Sequence, residues 1–231
     1  MILGVSLDTA GERAAGGFAR SAEAGPFGRV PADVKLARAT YPLLRDEQHV
    51  VAQLYDITNV PMAVWIDESG KIVRPPEAAG SYDVVKHIDA KTFAIPDEIV
   101  KRAAGVRATY FDAVRDWVKH GAQSRFALSA EEVSKRAQGP GEAAARGHAC
   151  FAIGAWLWRS GEHEASKRWF EEAVAAQPDN WAFRRQKIAV ADEAAIGNFA
   201  ATPEFFGAVR ETAAAGKRYY ELIDMPGMPS E

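Results

Sequence analysis

The chain has 231 residues, 48% of them hydrophobic and 26% charged, with six Trp, one Cys and a formal net charge of −3. That apolar and aromatic content builds a core and excludes a disordered chain, at a length that suits one large or two modest domains. The charge leaves no electrostatic footprint for nucleic acid, no apolar run approaches the ~20 residues that span a bilayer, and one cysteine excludes an intrachain disulfide framework.

Residues 1 to about 90 alternate short strands and helices. The stretch Leu54–Glu77, LYDITNVPMAVWIDESGKIVRPPE, is the most informative. It reads as a helix end, a proline turn, a strand over Met62–Asp67, a tight turn and a second strand over Lys71–Arg74. Pro61 cannot donate to a sheet ladder and its φ is locked, so it belongs at a strand start. The Val60-Pro61 bond is expected to be cis, because X-Pro is where cis peptides occur. Glu68-Ser69-Gly70 closes a hairpin, with Gly70 supplying positive φ.

After Lys91 the pattern turns helical. Pro96-Asp97-Glu98 opens a helix with acidic residues in its first turn. Ile99, Val100, Ala103, Val106, Tyr110, Val114, Trp117 and Val118 recur at helical spacing up to Gly121. Ser129-Ala130-Glu131-Glu132 is a capping box for a second helix. Gln138–Gly141 is a break, and helix follows helix from there to Gly216. The domain boundary is expected between Pro75 and Pro96.

The order and spacing of Tyr55-Asp56-Ile57, Val60-Pro61, the apolar strand ending in Ile66-Asp67, Gly70-Lys71 and Ile72-Val73 resemble the second half of a thioredoxin-fold protein. The thiol–disulfide oxidoreductases of the ResA and TlpA type, or the AhpC/TSA redoxins, are the nearest likeness. On that resemblance Ile2–Leu7 is the strand after the redox helix, Ala10–Ala24 the next helix, and Tyr41–Asp46 the strand before a helix over Glu47–Tyr55. The implied fold class is an incomplete α/β thioredoxin-like domain, residues 1–90, followed by an all-α helical domain, residues 91–231.

In this family the redox motif is Cys-x-x-Cys or a variant of it, on a strand and helix that precede the equivalent of Ile2. The only cysteine here is Cys150. Dithiol exchange needs an attacking and a resolving sulfur within reach of each other, so no catalytic residue is assigned and this chain alone is expected to be inactive in such exchange. One route to such a chain is a selenoprotein gene whose selenocysteine codon is read as a stop, with translation assigned from the next Met. The resemblance implies that Asn59, Val60 and Pro61 bind substrate: the backbone before the proline pairs with an extended protein or peptide thiol or disulfide substrate by strand addition. The absent strand also implies two unpaired sheet edges and hence self-association.

Residues 147–178 resemble one tetratricopeptide-type helical hairpin. Its first helix carries Cys150, Ile153, Gly154 and Leu157 on the packing face, and its second carries Ser166, Phe170 and Ala173. Cys150 is read as a small buried hydrophobe. Trp156 and Trp169 are read as packing residues. Trp181 with Arg184 and Arg185 is a candidate partner-binding group, since Trp and Arg dominate interface hot spots.

Histidines 49, 87, 120, 148 and 163 form no metal-ligand pattern; His148 and His163 are the one pair a helical hairpin could bring together. No cofactor motif is present. The N-terminus lacks the basic region of a signal peptide, which with the single cysteine suits a cytoplasmic protein. Abundant Ala and an excess of Arg over Lys suit a GC-rich bacterial gene.

Two functions compete. One is a thioredoxin-like oxidoreductase or antioxidant redoxin whose redox motif lies outside this chain. The other is a non-catalytic interaction scaffold that uses the thioredoxin-like and helical surfaces.

Overall fold

The computed structural model describes residues 1–7, 9, 41–89, 91–92, 94–137, 139, 141–191 and 202–229. The helix expected over Ala10–Ala24 lies outside them. The described residues form a mixed α/β structure with a helical majority. The strands are β1 Gly4–Ser6, β2 Leu43–Arg45, β3 Met62–Ile66 and β4 Ile72–Ala78. The helices are α1 Val50–Leu54, α2 Asp97–His120, α3 Ala130–Arg136, α4 Glu142–Arg159, α5 His163–Ala176, α6 Trp181–Ala191 and α7 Pro203–Ala214. Contacts group the chain into two compact units, Met1–Thr58 with Pro140–Phe205 and Asn59–Gly139 with Phe206–Glu231. The grouping cuts across chain order, so β1 and β2 fall in the first unit and β3 and β4 in the second.

In the first unit β1 runs parallel to β2, with Val5 opposite Leu44. The Asp46 carboxylate then starts α1, its two oxygens accepting from the Val50 N–H at 2.8 Å and the Ala52 N–H at 3.1 Å. That satisfies two of the orphan donors at the helix start. His49 turns the chain between them in the left-handed region, φ 54°.

The helical hairpin of α4 and α5 packs through small residues, as the sequence predicts. Ser166, Phe170 and Ala173 are fully buried. A Cβ on Gly154 would stand 3.3 Å from the Trp169 Cβ and 3.4 Å from the Phe170 ring, so a larger residue there would push the helices apart by a few tenths of an ångström. On α4 the expected positions Cys150 and Gly154 are buried and Leu157 is half-buried, but Ile153 departs from the expected face. Cys150, Phe151, Gly154 and Ala155 are buried, whereas Ile153 is 39% exposed and Trp156 is 60% exposed. The burying stripe is rotated because Phe151 is its centre, stacked on Phe183 of α6 at 4.7 Å and edge-on to Phe170 at 5.2 Å. Trp156 is therefore not a packing residue, while the half-buried Trp169 does pack against this cluster.

In the second unit β3 and β4 form the predicted antiparallel hairpin. Asp67 builds the turn: its Oδ1 accepts from the Ser69 N–H and the Lys71 N–H, both at 2.9 Å, and Gly70 has φ +80°. The Val60-Pro61 peptide is cis. β4 runs on to Ala78 instead of stopping at Arg74, carrying Pro75 and Pro76 past register shifts in the ladder. Such irregularities tolerate residues that lack an N–H.

α2 lays Val106, Tyr110 and Ala113 on Trp65 and Ala78 of the hairpin. Val100 and Val118, predicted on the same face, stay exposed, because the seam follows 106, 110, 113, 114 and 117. Arg74 is 1% exposed with every guanidinium nitrogen hydrogen-bonded: to Glu77 on two nitrogens at 2.9 and 2.7 Å, and to the carbonyls of Phe126 and Asp224 at 2.8 Å each. α3 begins as the capping box predicts, with the Ser129 hydroxyl accepting from the Glu132 N–H at 3.1 Å.

Candidate functional site

The residues singled out as Asn59, Val60 and Pro61 form the turn into β3, and the structure shows how that turn is held. Asn59 is 6% exposed. Its Oδ1 accepts from the Val60 N–H at 2.8 Å, and its Nδ2 donates to the Tyr219 carbonyl at 2.6 Å. The Pro61 carbonyl accepts from the Ala79 N–H at 3.2 Å, so at Pro61 the chain faces β4. Antiparallel pairing alternates, so Ala63, opposite Glu77, faces β4 as well, and the N–H and C=O groups of Met62 and Val64 face the other way. β3 pairs with β4 alone; among the described residues no strand lies on its second edge. Pro61 is exposed and Met62 and Val64 are half-buried.

The Val60 carbonyl, last acceptor before this edge, is occupied. The Tyr220 hydroxyl donates to it at 2.8 Å. Tyr219 is buried, its N–H donates to Asp83 Oδ2 at 3.2 Å, and its ring meets that of Tyr220 edge-on at 4.6 Å. Sequence reasoning missed these two tyrosines. The available signal was an adjacent aromatic pair just past Gly216, followed by the apolar Leu222, Ile223 and Met225.

In the first unit Trp181 opens α6 and is 3% exposed, with the Phe205 ring edge-on at 6.0 Å. The Arg184 guanidinium lies 4.2 Å over the Trp181 ring. Arg185 is buried. The three residues are thus on one helix, with Arg184 the most accessible of them.

Cys150 is a free thiol, 8% exposed. His148 and His163 do not meet: His148 sets its ring edge-on to Phe183 at 5.1 Å, and His163 stacks on Trp158 at 5.2 Å. His49 lies 4.5 Å from the Phe151 ring, buried, and neither ring nitrogen has a hydrogen-bond partner among the described residues. Burial above all, and then the nearby His148 and Arg159, push its pKa down to about 3. Burial likewise lowers that of His148. No group of three or more metal-ligating side chains occurs among the described residues. No helix among them is long and apolar enough to cross a membrane.

Comparisons of the chain with protein-family models, curated proteins and solved structures give no match.

Proposed function

We propose that this is a thioredoxin-like protein, an incomplete α/β domain followed by a helical domain, that binds an extended polypeptide at the second edge of β3 and performs no dithiol exchange by itself. The observation that carries the reading is that edge: the backbone groups of Met62 and Val64 face away from β4, beside the turn formed by Asn59, Val60 and Pro61. Main-chain donors and acceptors in a row recognise another extended chain, whatever its sequence, and the flanking side chains add selectivity. A single buried cysteine supports binding over catalysis, because an attacking thiolate needs access and a resolving partner.

The test is fluorescence anisotropy with a fluorescein-labelled nonapeptide of alternating Thr and Val flanked by Lys. Saturable binding is expected. Val64→Pro removes one N–H from the open edge and should weaken binding roughly tenfold, whereas Val64→Thr, which keeps the N–H, should bind like the parent. No saturable binding, or equal binding by the proline variant, overturns the reading.

A further inference from the structure

We infer that Tyr220 is a built-in competitor at the peptide edge, so that the segment around Tyr219 and Tyr220 regulates access to it; this rests on the binding reading proposed above. An acceptor directly before a strand edge that no described strand covers is what an incoming strand would use to lengthen its ladder. Here the Tyr220 hydroxyl already takes it, at 2.8 Å from the Val60 oxygen. The neighbouring residue holds the same turn from the other side, through the 2.6 Å bond from Asn59 Nδ2 to the Tyr219 carbonyl. Two consecutive residues of the C-terminal segment therefore engage two consecutive residues of the turn.

The attachment of this segment is uneven along its length. Further on it is anchored deeply: Ile223 and Met225 belong to the buried core, and Arg74 holds the Asp224 carbonyl at 2.8 Å. At Tyr220 the ring is half-buried and lines a cavity of about 320 Å³, along with Tyr82, Asp83, Val106 and Met225. The ring packs on the margin of that core, and the cavity beside it gives it room to swing off the Val60 carbonyl while Ile223 and Met225 stay buried. An incoming peptide N–H would then replace the hydroxyl as donor to the Val60 carbonyl while the anchor at 223–225 stays in place. Such replacement costs the intramolecular bond, so the apparent affinity of the parent is reduced by the fraction of time Tyr220 is seated.

Tyr220→Phe deletes the hydroxyl and leaves the ring. The same labelled Thr/Val nonapeptide, titrated against the full chain, should bind this variant roughly fivefold more tightly than the parent, the worth of one exchanged hydrogen bond. Hydrogen exchange on the parent supplies a second readout: saturating peptide should speed exchange of the Tyr220 and Glu221 amides and leave those of Ile223 and Met225 unchanged. If the parent binds and Tyr220→Phe binds equally or more weakly, Tyr220 is a structural tie; the gating inference fails and the edge reading stands. If neither protein binds the peptide, both fail.

Discussion

The Trp65 indole N–H donates to the Tyr110 hydroxyl at 2.8 Å, and the two rings meet edge to face with centroids 5.9 Å apart. This bond joins β3 to α2 at the centre of the second unit's core, and both residues are buried. Burial, and then the neighbouring Glu77, hold the Tyr110 hydroxyl well above its ordinary pKa, so it stays a neutral partner. Tyr110→Phe keeps the packing but strands the indole N–H, which costs about 1–3 kcal/mol. Urea unfolding followed by tryptophan fluorescence should show a lower midpoint of that size. An unchanged midpoint would mean the hydrogen bond contributes nothing net.

Acid should weaken the first unit. His49 and His148 are buried, with pKa values held below the ordinary 6.5. An unfolded imidazole takes a proton below that value, while the buried one refuses it. The contribution of each histidine to stability is therefore complete above pH 6.5 and declines as pH falls, continuing to about pH 3 for His49. The slope approaches ~1.4 kcal/mol per pH unit for each group. His49→Asn keeps a residue tolerant of the left-handed backbone and should flatten the curve by one proton. Thermal unfolding between pH 7 and 4 checks this; an equal slope in the variant removes His49 as the cause.

Cys150 should be chemically silent in the native state. It is buried among Phe151, Phe170 and Phe183. Labelling by an aromatic disulfide reagent should be slow in buffer and fast in denaturant, because the thiol reacts only when the hairpin opens. Insulin reduction with dithiothreitol should run equally with the chain, with Cys150→Ala and with neither. Cysteine-dependent turnover above background would overturn the non-catalytic reading.

Two helical glycines should respond to alanine with opposite signs. At Gly105 in α2 the nearest atom to a new Cβ is Pro229 Cγ at 3.7 Å, an ordinary contact. Gly105→Ala should stabilise by about 0.8–1 kcal/mol through helix propensity. At Gly147 in α4 a new Cβ would meet Gln177 Oε1 at 2.9 Å and the Phe183 ring at 3.1 Å. Gly147→Ala should destabilise, the crowding of about 1–3 kcal/mol exceeding the propensity gain. Thermal midpoints of the two variants decide both signs.

Local signals determined what the sequence by itself could determine. Pro61, Asp67 and Gly70 specify the turn into β3 and the hairpin after it, because each acts within a few residues through a locked φ, a side-chain oxygen or a missing Cβ. Ser129 and Glu132 specify the start of α3 in the same way, and Gly154, Ser166 and Ala173 mark the close approach of α4 and α5. The tertiary structure alone decided which side of a helix is buried. Ile153 and Val118 satisfy the helical period yet face solvent, because the stripe is set by where Phe151 meets Phe183 and where Tyr110 meets Trp65. It alone could show that Arg74 in β4 is buried against Glu77 and two distant carbonyls. And it alone could bring Tyr220 to Val60: 160 residues separate them, no short-range rule links a tail tyrosine to a turn carbonyl, and only the packing of Ile223 and Met225 into the core carries that hydroxyl to its acceptor.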